Sequence, residues 1–157
     1  MPNRSTLLDE ISSMLINSDL FKHMSSAELR SVAHYFGINR IARGEVVFNE
    51  GDVGTFMCIV YSGSVSVIKA NQSEQQVEMI TLGHGCAFGE MAVLDGERRS
   101  ATCKAAEDSI LLTLSKEALD KMLEEYPHIA ARFVRAIAVS LSRRLRMAVG
   151  QLVDHIV

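Results

Sequence analysis

Apolar and polar positions follow a helical period in the first part of the chain. Between residues 5 and 16, apolar side chains recur every three or four positions, which predicts an amphipathic helix. A second helix is predicted over residues 26–37, because Ser25 and Glu28 have the spacing of a capping box and Gly37 can end the helix. N-terminal helices are therefore expected over residues 1–37.

The period changes between residues 38 and 115, where short β-type runs are separated by glycines. The predicted strands are residues 46–48, 57–61, 64–68, 77–82 and 110–114. The polar segment 71–76 predicts a hairpin tip. Short strands at this spacing predict a small antiparallel barrel or jelly roll.

A helical period returns after the strands. Ser115 can cap a helix over residues 116–125 that ends at Pro127, and a longer helix is predicted from about residue 128 to the C-terminus. One apolar stripe runs along it: Ile129, Phe133, Ile137, Leu141, Leu145, Ala148, Leu152 and Ile156. Such a stripe can pack on its own barrel or against the same helix of a second copy.

The segment 88–102 places an acid and an arginine around a glycine-opened turn. Gly89 lacks a Cβ, so the backbone there can approach a ligand closely. Arg99 presents a planar fork of donors that fits two phosphate oxygens. Glu90 has the wrong charge for a phosphate and suits a sugar hydroxyl instead. Alternatively, Glu90 and Arg99 pair with each other across the turn.

This segment resembles the phosphate-binding cassette of the cyclic nucleotide-binding domain family. The family pattern is roughly Phe-Gly-Glu-aliphatic-Ala, a spacer, then Arg-Ser/Thr-Ala, and Arg98 departs from it where proline is frequent. Residues 49–65 resemble the same family through a Gly-Asp turn, a hydrophobic strand and a Gly-x-Val sequence.

The resemblance covers about residues 20–155 and implies a mainly β fold with flanking helices. The expected architecture is an antiparallel β-jelly-roll barrel with N-terminal helices and a long C-terminal helix. A single domain over residues 1–157 is expected, with the barrel at 38–115 and C-terminal helices at 116–157.

By resemblance, a 3′,5′-cyclic nucleotide is expected to bind in the cassette. The expected ligand-binding residues are Phe88, Gly89, Glu90, Met91, Ala92, Arg99, Ser100 and Ala101. The phosphate would meet Arg99 and the backbone N–H groups of Ser100 and Ala101. Glu90 would hold the ribose 2′-hydroxyl, and Ala92 would leave room for the cyclic phosphate.

The base is expected to be adenine, with cGMP as the alternative ligand, because relatives that prefer cGMP often carry threonine where this chain has Ser100. An alignment with the bacterial catabolite activator puts Arg144, Ala148 and Val149 at lid or base-contacting positions. Arg144 would reach Glu90 or, equally, lie in solvent. Ala148 and Val149 cannot form side-chain hydrogen bonds to a base.

Composition narrows the class of protein further. The 157 residues carry a net charge of −3, contain no run of eighteen apolar residues and begin without a secretory signal, so neither nucleic-acid binding nor a membrane segment is expected. Cys58, Cys86 and Cys103 lack metal-ligand spacing and are expected to be buried thiols in a reducing cytoplasm. No cofactor, metal site or catalytic set is expected.

Five arginines cluster in the C-terminal segment: Arg132, Arg135, Arg143, Arg144 and Arg146. They are expected to form a solvated helix face. The alternative is a surface that contacts nucleic acid or an acidic partner.

These features together predict a non-catalytic cytoplasmic sensor that binds a cyclic nucleotide, most simply cAMP. By resemblance to bacterial members of the family, in which this helix is a dimer helix, it is expected to dimerise through its C-terminal helix. It is expected to signal to an unknown effector by moving that helix. Direct DNA binding is not expected, because no helix-turn-helix follows. The alternatives are a nucleotide-independent docking module with the same fold and a fragment of a Crp/Fnr-type transcription regulator.

Overall fold

The computed structural model describes the backbone of residues 4–156 and the side chains of residues 6–151. The α-helices are α1 (Arg4–Leu15), α2 (Ser26–Val32), α3 (Glu90–Asp95), α4 (Lys116–Glu125) and α5 (Pro127–Ile156). The strands are β1 (Gly37–Ile41), β2 (Val46–Phe48), β3 (Phe56–Ser62), β4 (Val65–Ala70), β5 (Gln76–Leu82), β6 (Ala87–Phe88), β7 (Thr102–Ala105) and β8 (Ser109–Ser115).

The strands form two four-stranded antiparallel sheets, in the orders β1-β8-β3-β6 and β2-β7-β4-β5. This is the predicted jelly roll with flanking helices. All five predicted strands are confirmed, whereas β1, β6 and β7 were not predicted. β1 has no run of apolar residues and β6 is only two residues long, so neither leaves a strand pattern in the sequence.

Strand β3 is buried on both of its faces and separates two cores. Between the sheets, Cys58 and Val60 pack with Phe48, Phe88 and Leu111. The opposite face of β3 packs against the helices. Because both faces are covered, β3 is a continuous apolar run rather than an alternating one.

Aromatic side chains hold the helices to the barrel. Phe21 stacks on Phe133 of α5 with ring centroids 4.9 Å apart, and Phe36 meets Phe133 edge to face. Ile129 and Ile137 are also buried, so the first half of α5 belongs to the core.

The second half of α5 leaves the barrel. Residues 142–151 are all exposed, and Leu145 is 66% exposed. The predicted apolar stripe is therefore packed only as far as Leu141, which is half-buried. The side chains of Leu152 and Ile156 lie outside the described residues.

The predicted helix over residues 26–37 is too long. α2 ends at Val32, a 3-10 turn covers Ala33–Tyr35, and Gly37 begins strand β1 instead of ending a helix. Packing decides this boundary, because an extended Phe36 reaches the aromatic cluster around Phe133. The capping box at the start of α2 is confirmed: Ser25 and Glu28 each accept a hydrogen bond from the other's backbone N–H.

Two of the three cysteines are buried as predicted, and one is not. Burial raises the pKa of the Cys58 and Cys103 thiols to about 12. Cys86 is exposed, because it lies in the turn before β6, where its N–H bonds to the Gly83 carbonyl. Within the described residues, no helix is long and apolar enough to cross a membrane, and no cluster of metal-ligating side chains forms.

Candidate functional site

A turn at residues 51–54 forms hydrogen bonds to the second half of the cassette, residues 96–102. The N–H of Gly51 donates to the Arg99 carbonyl at 2.9 Å, and the N–H of Arg99 donates to the Asp52 carbonyl at 2.7 Å. The N–H of Gly54 donates to the Glu97 carbonyl at 3.3 Å. The two segments that resembled the family in sequence are therefore neighbours in space.

The first half of the cassette is the short helix α3, which starts and ends at left-handed glycines. Gly89 has φ of 75° and Gly96 has φ of 73°, a conformation that residues with a Cβ adopt at a cost. Ala92 is buried against Gly54, so the helix lies directly on the 51–54 turn.

The guanidinium of Arg99 is buried, with only 5% of the residue exposed. It stacks on the Phe48 ring at 3.8 Å and lies 4.8 Å from the Phe56 ring centroid. Its Nη1 donates to the Gly89 carbonyl at 3.0 Å and its Nη2 to the Phe56 carbonyl at 2.5 Å. These contacts join the two halves of the cassette to β3.

No acid forms an ion pair with Arg99 among the described residues, and its buried Nε has no hydrogen-bond partner. Burial lowers the pKa of this guanidinium, because the charged form loses hydration. Arginine still remains charged at neutral pH. A buried cation without an anionic partner is costly and marks a place where an anion would be stabilised.

Glu90 is also buried, and its partner is Arg144 from α5. Nη1 of Arg144 lies 2.5 Å from Oε1 of Glu90, and its Nη2 donates to the Ala87 carbonyl at 3.3 Å. The alternative pairing of Glu90 with Arg99 is absent among the described side chains. Arg144, which is half-exposed, thus ties the exposed half of α5 to the cassette.

Glu90 and Arg99 line one cavity of about 260 Å³. The structure brings together at this cavity all eight predicted cassette residues and Arg144: Phe88, Gly89, Glu90, Met91, Ala92, Arg99, Ser100, Ala101 and Arg144. Ala148 and Val149 do not line it and are exposed on α5. Val67, Ile80 and Leu82 form an apolar wall.

Sequence reasoning missed the side chains that hold Arg99 from outside the cassette. Phe48 ends β2 and Phe56 begins β3, on either side of the 51–54 turn. Their positions next to that turn are the one sequence signal that could have indicated their contact with Arg99. Lys69 was also missed: its Nζ donates to the Ser100 carbonyl at 2.7 Å. Arg98, which replaces the frequent proline, donates to the Gly51 carbonyl at 2.9 Å and so ties the loop to the same turn.

Substitution of Gly54 tests the contact between the turn and α3. A Cβ on Gly54 would lie 2.0 Å from the Ala92 Cβ, so Gly54→Ala is expected to displace α3 and lower the free energy of unfolding by about 1–3 kcal/mol. Gly83→Ala is the matched control, since nothing lies within 4 Å of its Cβ position. Urea denaturation measures both, and equal stability of the two variants would contradict the contact.

The jelly roll, with a glycine-opened helical turn and a buried arginine at one cavity, defines the class of protein as a small-ligand-binding domain. The chain belongs to the cyclic nucleotide-binding domain family, whose model matches residues 38–126. The chain is similar to parts of catabolite activators and kinase regulatory subunits, and spans 59% of one such activator and 30% of one such subunit.

Individual relatives agree with this assignment. The cyclic AMP receptor protein of Thermus thermophilus is 34% identical over 131 residues, which are 83% of this chain and 59% of that protein. The cAMP-dependent protein kinase regulatory subunit of Blastocladiella emersonii is 26% identical over 120 residues, 76% of this chain and 30% of that subunit. A cyclic nucleotide-binding domain from Methylobacillus flagellatus KT superposes with a TM-score of 0.82 at 26% identity, covering 96% of this chain and 84% of that one.

Proposed function

We propose that this domain binds cAMP in the cavity between the cassette and the barrel and transmits the binding through α5. The observation that carries the proposal is that two buried groups of opposite charge, Glu90 and Arg99, line the same cavity without pairing with each other. A cyclic nucleotide has an anionic phosphate and a hydroxyl-bearing sugar, and it would match both groups.

The phosphate would bind beside Arg99. Its guanidinium is unpaired with any acid in the described part of the chain, and the neighbouring backbone N–H groups of Ser100 and Ala101 donate no hydrogen bond there. To reach a phosphate, Arg99 would exchange its two carbonyl acceptors for phosphate oxygens. Charge-assisted bonds to phosphate are stronger than bonds to a neutral carbonyl, so the exchange is favourable.

The sugar and the base would occupy the rest of the cavity. The 2′-hydroxyl would donate to Glu90, and the base would lie against Val67, Ile80 and Leu82. A cavity of about 260 Å³ is close to the lower end of ligand pockets, roughly 300 Å³, so we expect the cassette to shift when it binds a nucleotide. Ser100 and the 34% identity with the cyclic AMP receptor protein support cAMP over cGMP.

Calorimetric titration of the purified chain with cAMP, cGMP and 5′-AMP tests the proposal. We expect the tightest binding with cAMP, weaker binding with cGMP, and the weakest with 5′-AMP, whose open and doubly charged phosphate does not match the ring-closed site. If the folded protein does not bind cAMP at millimolar concentration, the proposed function is refuted. If cGMP binds more tightly than cAMP, the ligand is cGMP instead.

Arg144 is expected to couple the cavity to α5, because it is the side chain through which the exposed half of that helix reaches the cassette. In Arg144→Ala, we expect faster amide exchange over residues 142–151 without nucleotide, and a smaller response of these amides to cAMP. Hydrogen-exchange mass spectrometry measures both. Arg146→Ala is the matched control, since Arg146 is exposed on the same segment and does not line the nucleotide cavity. Exchange unchanged from the wild type in Arg144→Ala would contradict this coupling.

Exposed apolar residues on α5 favour assembly as a second role. Leu145 and Val149 are 66% and 51% exposed and lie one helical turn apart. We propose that this face forms a homodimer, as exposed apolar stripes on long helices do. Sedimentation of the wild type and Leu145→Glu tests it. A dimer that is unaffected by cAMP or by Arg99→Ala would favour the nucleotide-independent docking module.

A further inference from the structure

A groove of about 770 Å³ lies beside α5, outside the proposed nucleotide cavity. It is bounded by α5, by residues 17–24 and by residues 82–87, and we call it the α5 groove. Seven basic side chains line it: Lys22, His23, His84, Arg132, Arg135, Arg143 and Arg144. The groove is large enough for a peptide segment and exceeds what a single small anion would fill.

Two of these arginines form no ion pair with any of the described acidic side chains. Arg132 pairs with Glu28, and Arg144 pairs with Glu90. Within residues 6–151, Arg135 and Arg143 form no ion pair, and Asp19 is the one acidic side chain that lines the groove. The groove is therefore positively charged in a chain whose net charge is −3.

The groove also has an apolar lining. Leu20 lies in the N-terminal helical segment, Leu82 on β5 of the barrel, and Val139 and Met147 on α5. Val139 is 42% exposed and Met147 is 66% exposed, so apolar area remains open next to the free arginines. Arginine next to methionine and aliphatic side chains is typical of surfaces that bind proteins.

We propose that the α5 groove binds an acidic, partly apolar peptide segment of a partner protein. The carboxylates of the segment pair with Arg135 and Arg143, and its apolar side chains cover Val139 and Met147. Arg135 and Arg143 are eight residues apart, about 12 Å along the helix, which matches carboxylates four residues apart in an extended strand. Nucleic acid is disfavoured, because the chain as a whole is acidic and the groove offers it an apolar wall.

The groove and the nucleotide cavity share side chains. Arg144 and Leu82 line both. A movement of Arg144 away from Glu90 changes the charge and the width of the groove at the same time. Any effect of cAMP on binding of the peptide therefore rests on the proposed function, whereas binding of the peptide itself does not.

The test uses a short fluorescent peptide in which glutamate alternates with leucine, and a control peptide with glutamine in place of glutamate. We expect the acidic peptide to bind the wild type, and Arg135→Glu/Arg143→Glu to weaken that binding by about tenfold. Arg40→Glu/Arg43→Glu is the matched control, with the same change in net charge outside the groove, and it is expected to bind as the wild type does. Calorimetry with cAMP on each variant checks that the nucleotide site is intact.

Cys86 reports occupancy of the groove, because it is exposed in the lining while Cys58 and Cys103 are buried. The bound acidic peptide is expected to slow alkylation of Cys86 by N-ethylmaleimide, as measured by mass spectrometry. The inference is overturned by no binding, by equal binding of the glutamine peptide, by equal loss in the control variant, or by unprotected Cys86. Tighter, arginine-dependent binding of single-stranded oligothymidine would assign the groove to nucleic acid, and conversion of a dimer to a monomer by Arg135→Glu/Arg143→Glu would assign it to a second copy.

The outcomes also separate this inference from the proposed function. If the peptide binds and cAMP does not, the groove stands and the nucleotide proposal fails. If cAMP binds and the peptide does not, the groove proposal fails alone.

Discussion

Replacement of Arg99 with alanine is expected to weaken cAMP binding by about a hundredfold or more. The guanidinium is proposed to donate two charge-assisted hydrogen bonds to the phosphate, each worth about 1.5–3 kcal/mol. Among the described lysines and arginines, only Arg98 and Arg144 line the cavity besides Arg99. Removal of the side chain also leaves the aromatic rings of Phe48 and Phe56 facing the phosphate. Calorimetric titration with cAMP measures the loss.

The adjacent arginine provides the control for that experiment. Arg98 is exposed and donates to the Gly51 carbonyl, so Arg98→Ala removes the same charge from the same loop with an expected effect of less than about tenfold. Arg99→Lys keeps the charge without the planar fork and is expected to bind between the two. Similar affinities for Arg98→Ala and Arg99→Ala would mean that the loop contributes only general positive charge.

Replacement of Phe133 with alanine is expected to cause the largest loss of stability, about 3–5 kcal/mol. Phe133 is fully buried and contacts the rings of Phe21 and Phe36, so its truncation leaves a cavity where α5 meets the N-terminal segment. Domains of this size have a free energy of unfolding of about 5–15 kcal/mol, so the variant is expected to be only marginally stable. Urea denaturation followed by circular dichroism measures the change.

Leu145→Ala is the matched control on the same helix. Leu145 is 66% exposed, and its truncation is expected to change the stability of the monomer by no more than about 0.5 kcal/mol. A loss below about 1 kcal/mol for Phe133→Ala would mean that α5 is not anchored in the core. A comparable loss for both variants, with dissociation of a dimer, would mean that the exposed half of α5 contributes through assembly.

The sequence alone was sufficient for the parts of the molecule that depend on neighbouring residues. The start of α2 follows from Ser25 and Glu28, which satisfy each other's backbone across one turn. The strand β3 follows from an uninterrupted apolar run. The cassette was found because its glycine, acid and arginine lie within one short segment, although its nucleotide came from resemblance to a family and not from the residues alone.

Features that depend on distant residues could not be derived in this way. The end of α2 is set by Phe36, whose ring packs against Phe133 nearly a hundred residues later. The aromatic contacts of Arg99 come from two different strands. The pairing of Arg144 with Glu90, 54 residues away, does not follow from the local sequence, because a solvated arginine has the same sequence around it.

The resting contacts of Arg99 have a consequence for how affinity can vary. The guanidinium already donates to the carbonyls of Gly89 and Phe56, so it gives up these hydrogen bonds when it binds a phosphate. The binding free energy that Arg99 contributes is therefore the difference between its bonds to the phosphate and its bonds to the two carbonyls. Substitutions that never touch the nucleotide, such as Phe56→Leu beneath the guanidinium, would shift that difference by loosening or tightening the resting state. Substitutions in the interior of the barrel can thus set the nucleotide concentration to which the domain responds, without any change in the groups that face the ligand.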